Sequence, residues 1–133
     1  MTTFKSNVSA AEEFLAKFKN QTIGHFINGE MVVPSGSELF ENLSPVDKSV
    51  VGKVAVATER EVDQACEAAR DAFPAWRDMP GSERRKLLHH FADKIEERAD
   101  EIALIESMDT GQPIKFMKKA AIRGAANFRF FAD

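Results

Sequence analysis

Few residues in this sequence have reactive side chains, and none belongs to a complete reactive set. Cys66 is the single cysteine among 133 residues, which excludes an intramolecular disulfide, a multi-thiolate zinc site and a CxxC redox centre within them. It lies among alanines on the apolar face of a predicted helix, where a thiol acts as a small packing group. We therefore expect Cys66 to be buried in the core and not to act as a nucleophile.

Two histidines and an aspartate suggest a metal site that the sequence does not complete. His89 and Asp93 are four residues apart, so one face of a helix could present both to an ion. His90 is adjacent, but no third ligand lies nearby, and the pattern favours a solvated face with a local hydrogen bond between His89 and Asp93. The seven glycines form neither phosphate-binding motif, since no two have the spacing of G-x-G-x-x-G or G-x-x-x-x-G-K.

Charge is distributed unevenly along the chain. The net charge is −3, but residues 1–110 carry 13 basic and 20 acidic groups while residues 111–133 carry 5 basic groups and one acidic group. The basic segment contains several phenylalanines, a composition that can bind single-stranded nucleic acid. Helical spacing spreads the charges over several faces and no RNA-binding signature accompanies them, so no nucleic-acid partner is expected. The cations are Lys115, Lys118, Lys119, Arg123 and Arg129.

Hydrophobic periodicity predicts a helix, a small antiparallel β meander and then four α-helices. The predicted N-terminal helical arm covers residues 1–20, with Ser9 and Glu12 as its capping box. Asn28-Gly29 indicates a hairpin turn. The first helix after the meander is expected to begin at Thr58, with Thr58 and Glu61 as its capping box, and to be limited by Pro74. Gly111 is expected to end the third of these helices in the left-handed conformation, and the fourth follows to the end of the chain.

Other features bear on location and completeness. No run of about 18 apolar residues suggests a membrane span, and the N-terminus lacks the apolar region of a secretory signal, so we expect a cytoplasmic protein without a membrane partner. The last helix reaches Asp133 without a stop signal, and Phe130 and Phe131 lie just before it. Four amphipathic helices also need more partner surface than a small meander offers. We therefore expect residues 21–133 to be an incomplete domain that packs against more protein.

Five local motifs occur in order along the chain: Phe26-Ile27-Asn28-Gly29-Glu30, residues 42–47, residues 68–73, Trp76 and Asp109-Thr110-Gly111-Gln112-Pro113. Together they resemble the N-terminal quarter of the aldehyde dehydrogenase superfamily. Within this α/β family, Asp109 to Ile114 and the segment around Arg123 are most similar to the hydroxymuconic semialdehyde dehydrogenases, the 5-carboxymethyl-2-hydroxymuconate type in particular. Ser44 and Lys48 depart from the family pattern, which usually has Asn and Gly there.

The resemblance implies oxidation of an aldehyde to an acid with NAD or NADP. In the family a cysteine thiolate attacks the aldehyde and a glutamate activates water, and both lie beyond the part that resembles this chain. No catalytic or cofactor-binding residue is therefore assigned, and the 133 residues alone are expected to bind no cofactor and to be inactive.

Roles in substrate binding and in cation binding carry over from the family. Arg123 matches a position expected to bind the distal carboxylate of the substrate, in agreement with its place near the apolar side of the last helix, where a guanidinium needs a carboxylate partner. The backbone around Asn42 and Leu43, with Asp109, matches a monovalent-cation site, although Asp109 could equally cap a helix end.

The expected partners are the rest of an aldehyde dehydrogenase chain and further copies in a homo-oligomer. The alternative from another class is a non-catalytic helical adaptor that keeps the scaffold and binds a partner through its phenylalanine-rich last helix.

Overall fold

A computed structural model of the protein describes residues 4–133, and it contains five helices and five short strands. Residues 1–3 of the predicted N-terminal arm lie outside the described part. In chain order the elements are α1 (Phe4–Lys19), β1 (Thr22–Ile23), β2 (His25–Ile27), β3 (Glu30–Val32), β4 (Leu39–Leu43), β5 (Val50–Ala55), α2 (Glu59–Asp78), α3 (Gly81–Glu97), α4 (Ala99–Thr110) and α5 (Ile114–Ala132). The predicted succession of a helix, small sheets and four helices is confirmed.

The strands form two separate sheets, so the prediction that they pair as one antiparallel meander is wrong. β2 and β3 form a separate hairpin, whose turn holds Asn28 and Gly29 at positive φ values of 51° and 83°. The other sheet has the order β1-β5-β4, in which β4 is antiparallel and β1 is parallel to β5. A two-residue strand such as β1 carries no alternation from which its pairing could be predicted.

Two helix boundaries differ from the prediction. α1 begins at Phe4, so Ser9 lies inside the helix and does not cap it. α2 continues through Pro74 to Asp78. Proline removes one helical hydrogen bond, but the last turn of α2 is held from outside: the Arg84 guanidinium donates to the backbone oxygens of Arg77 and Met79.

The core lies where α5 packs against α3 and α4. Its buried residues are small, with Ala92, Ala103, Ala121 and Ala125 all inaccessible or nearly so, which lets the helix axes approach closely. α1 covers α4 and β5 with Ala11 and Leu15. α2, by contrast, contacts mainly β2. The protein therefore has a three-helix core with one long helix at its margin.

No helix of residues 4–133 is both long and apolar enough to cross a membrane.

Candidate functional site

Asn42 and Asp109, which are 67 positions apart in the sequence, meet where β4 passes the end of α4. The Asn42 side-chain amide donates to Oδ1 of Asp109 at 2.5 Å. The register between β4 and β5 shifts between Asn42 and Leu43, a bulge that interrupts the regular ladder at this point. The structure thus brings two of the residues that the family resemblance assigned to a cation site, Asn42 and Asp109, into contact, and Leu43 follows Asn42 in β4.

The donor set fits a hard monovalent cation. Carboxylate and backbone carbonyl oxygens are the ligands that such ions take, and Asp109 retains one carboxylate oxygen that the Asn42 amide does not use. Within residues 4–133 no group of three or more His, Cys, Asp or Glu side chains is arranged for a metal ion.

The end of α4 is fixed by the turn that follows β4. Gly111 caps the helix in the left-handed conformation, with φ of 74°, as the sequence predicted. A Cβ at this glycine would lie 3.0 Å from Cγ of Pro45. The close approach packs the turn against the helix end and so positions Asp109 beside Asn42.

The turn itself contains the two departures from the family pattern. Ser44 is fully buried, and its backbone amide and carbonyl bond to Ser49 and Lys48 at 2.8 and 2.9 Å. Lys48 has φ of 63°, the left-handed region that favours glycine, which is the residue the family usually has there. Hydrogen bonds from Ser49 to Oδ1 of Asp47 lower the pKa of that carboxyl and help to hold the turn.

α1 supplies one wall of the cleft at the Asn42–Asp109 pair, a contribution that the sequence did not indicate. Leu15 and Phe18 line this cleft together with Ile105 of α4. Their helical spacing predicted an apolar face, but no local signal showed which surface that face would cover.

Arg123 lies on α5 away from the core, and its side chain is exposed. This corrects the expectation that its guanidinium would be half-buried: the neighbours Ala121 and Ala125 take the buried side of the helix. Seven arginines of the described chain bond to a carboxylate or a backbone carbonyl, whereas Arg123 has no such partner among residues 4–133. The seven are Arg60, Arg70, Arg77, Arg84, Arg85, Arg98 and Arg129.

The exposed surface beside Arg123 carries aromatic rings. Phe116 and Phe130 are each seven residues from Arg123, which places all three along one stripe of α5. Both phenylalanines are exposed. An unpaired cation between apolar rings is suited to an anion with an apolar body.

The remaining candidates have other roles. His89 contacts Asp133, with 2.8 Å between Nε2 and Oδ1, and Asp93 pairs with Arg129 at 2.9 Å, so the predicted hydrogen bond between His89 and Asp93 is wrong. Both carboxylates belong to contacts between α3 and the end of α5. Cys66 is exposed, so its predicted burial is also wrong within this chain, because nothing in residues 4–133 covers that face of α2.

Three comparisons bear on identity. 5-Carboxymethyl-2-hydroxymuconate semialdehyde dehydrogenase of Escherichia coli is 38% identical over 112 residues, which cover 84% of this chain and 24% of that protein. The crystal structure of HpcC from Thermus thermophilus has a TM-score of 0.89 at 38% identity, over 94% of this chain and 24% of that one. An aldehyde dehydrogenase from Bacillus cereus, solved as an NAD+ complex, has a TM-score of 0.81 at 36% identity, over 89% and 25% of the two chains.

The chain thus spans about a quarter of the length of these relatives and corresponds to their N-terminal part. The sequence model of the aldehyde dehydrogenase family matches residues 32–133, a range that includes Asn42, Asp109 and Arg123. The chain belongs to the aldehyde dehydrogenase family.

Proposed function

We propose that this chain is the N-terminal quarter of an NAD(P)-dependent aldehyde dehydrogenase that oxidises a carboxylate-bearing semialdehyde from aromatic catabolism to an acid. The observation that carries the proposal is the match to the Escherichia coli semialdehyde dehydrogenase over 84% of the chain. The NAD+ complex of the Bacillus cereus relative supports the cofactor class.

Arg123 is proposed to bind the substrate carboxylate. Its guanidinium is exposed and unpaired among the described residues, so no internal ion pair has to break before an anion binds. The flanking phenylalanines offer apolar surface to the carbon skeleton of the substrate. A semialdehyde that carries a second, charged end meets both requirements.

Asp109 and the backbone oxygens of Asn42 and Leu43 are proposed to hold a monovalent cation. The ion would supply positive charge where β4 meets the end of α4, and it would tie the two elements together. Its expected effect is on stability, because Asp109 and Asn42 lie in the contact between these elements.

The 133 residues alone are proposed to be inactive and to bind no nucleotide. Cys66 is the single thiol of the sequence, and it lies exposed on an outer helix. The proposed partners are the rest of an aldehyde dehydrogenase chain and further copies in a homo-oligomer, the proposed location is the cytoplasm, and no nucleic acid or membrane takes part.

A chimera tests the substrate class. Residues 22–133 of this chain replace the matching quarter of the Escherichia coli enzyme, and NADH formation is measured with a carboxylate-bearing semialdehyde and with a neutral aldehyde of similar length. A higher kcat/KM for the charged substrate is expected. Equal values for both substrates would contradict the proposed specificity, and NADH formation with neither would contradict the proposed activity.

A second candidate is a non-catalytic helical adaptor. The exposed rings of Phe130 and Phe131, which contact each other edge to face at 5.2 Å near the end of α5, favour it. A cooperatively folded, monomeric 133-residue chain whose sequence cannot replace the matching quarter of an active enzyme would support this alternative.

A further inference from the structure

The apolar face of α2 is uncovered along its whole length. Val62 is 53% exposed, Phe73 56% and Trp76 42%. Ala65, Cys66 and Ala69 lie on the same stripe at helical spacing, and all three are exposed. These six residues together form a surface that we call the α2 face.

The hairpin does not cover this face, although it is the main contact of α2. Of the α2 side chains, Glu61 is buried and Ala68 is half-buried, and these two are seven residues apart on a neighbouring stripe. Glu61 belongs to the N-terminal capping box, where its carboxylate accepts a hydrogen bond from the backbone amide of Thr58 at 2.9 Å. The hairpin therefore fixes how α2 is oriented and leaves the α2 face open.

We propose that the α2 face is the docking surface for the part of an aldehyde dehydrogenase chain that follows this region in the relatives. The proposal rests on the proposed function. The length of the relatives supports it: the fold described here is retained at a TM-score of 0.89 in a chain of which it makes up 24%. About three quarters of such a chain must pack somewhere. An apolar stripe of about four helical turns, with one guanidinium, that of Arg77, over the Phe73 ring, is suited to it.

The composition of the α2 face is typical of a surface that packs against protein and not of one that stays exposed to water. A valine at one end and two aromatic rings at the other, each exposed by two fifths or more, flank three small side chains that would allow close helix or strand packing. Charged side chains take the other side of α2, including Arg70, which pairs with Glu67 and Asp71. A second copy of this chain is the competing occupant.

Cys66 is the only cysteine and Trp76 the only tryptophan of the chain, so both probes of the face are unique. In the 133-residue chain we expect fast alkylation of Cys66 by iodoacetamide, efficient quenching of Trp76 by acrylamide, and a monomeric mass in light scattering. A dimer in which both residues are protected would assign the face to a second copy and overturn the proposal.

The same residues are then followed in the chimera with the Escherichia coli enzyme. Peptide mass spectrometry should show alkylation of Cys66 slowed by at least about tenfold relative to the 133-residue chain, since packing protects a thiol from solution reagents. Equal rates in the two proteins would overturn the proposal. NADH formation by the chimera is recorded separately, so a protected but inactive chimera would refute the proposed function and leave the docking surface standing.

A matched pair of substitutions gives a second readout. Ala69→Glu places a charge on the α2 face. Ala75→Glu places the same charge off that face, at an exposed position seven residues beyond Ala68 on the neighbouring stripe. In the 133-residue chain both variants should unfold at nearly the wild-type temperature. In the chimera Ala69→Glu should lower the unfolding temperature or the soluble yield far more than Ala75→Glu, and equal effects there would contradict the assignment.

Discussion

Lys17 of α1 and Glu101 of α4, 84 positions apart in the sequence, form an ion pair that ties the N-terminal helix to the helical core. Arg98 donates to the same carboxylate at 2.8 and 3.0 Å. Glu101 is only 14% exposed, so the two cations meet it in a partly desolvated place. Because α1 also lines the cleft at Asn42 and Asp109, the pair stabilises one wall of the candidate cation site.

Glu101→Gln should destabilise the chain at neutral pH by about 1 kcal/mol, since it removes a charge-assisted contact with two partners. Hydrogen bonds from Arg98, then from Lys17, lower the pKa of Glu101 to about 2 from an ordinary 4.5. A lowered carboxyl pKa contributes stability that is present above about pH 4.5 and is lost as the pH falls towards 2. The free energy of unfolding, measured with urea across that pH range, should therefore fall less steeply with pH for the variant than for the wild type. Parallel pH dependences for the two proteins would contradict the role of the ion pair.

Lys48→Gly should stabilise the chain by up to about 1 kcal/mol. Lys48 adopts φ of 63°, a conformation that costs a residue with a Cβ more than it costs glycine. Chemical denaturation measures the change. Lys53→Gly in β5 is the control, because glycine in a regular strand is expected to destabilise, and stabilisation by both variants would point to a general effect of losing a lysine.

Asp109→Asn should remove a cation-dependent gain in thermal stability. The wild-type chain is expected to unfold at a higher temperature in sodium or potassium chloride than in choline chloride at equal ionic strength, because a bound ion stabilises the folded state. The variant should show no such difference. Asp100→Asn controls for general charge effects, because Asp100 is an exposed acid at the start of α4 that pairs with Lys118 of α5. A wild-type chain that responds equally to the three salts would refute the site.

Arg123→Ala in the chimera should reduce kcat/KM for a carboxylate-bearing semialdehyde by about 10- to 100-fold, as expected when a charge-assisted contact is lost. The loss should appear mainly in KM and should be small for a neutral aldehyde. Lys119→Ala, which removes another exposed cation of α5, is the matched control. Equal losses for the charged and neutral substrates would exclude a contact between Arg123 and the carboxylate.

Much of the local structure could be predicted from the sequence because it depends on neighbouring residues. Asn28-Gly29 and Gly111 adopt the positive φ values that their residue types favour, and Thr58 with Glu61 forms the predicted capping box. Long-range relations could not be predicted in the same way. The parallel pairing of β1 with β5 and the hydrogen bond from Asn42 to Asp109 depend on tertiary packing, and only the family resemblance pointed to the latter.

Two of the failed predictions share a physical cause. Cys66 and Arg123 were placed by helical periodicity, which identifies an apolar face but does not show whether the chain itself covers it. In the structure both lie on surfaces that residues 4–133 leave open. The length of the relatives, about four times that of this chain, gives a reason for such faces that periodicity alone does not.

The most direct test of the account compares NADH formation by the 133-residue chain and by the chimera, at equal molar concentration with NAD+ and a carboxylate-bearing semialdehyde. We predict turnover by the chimera and none by the chain alone, because we expect the family's catalytic residues to lie beyond this N-terminal quarter. Turnover by the purified 133-residue chain, or a folded chimera without turnover, would contradict the proposed function.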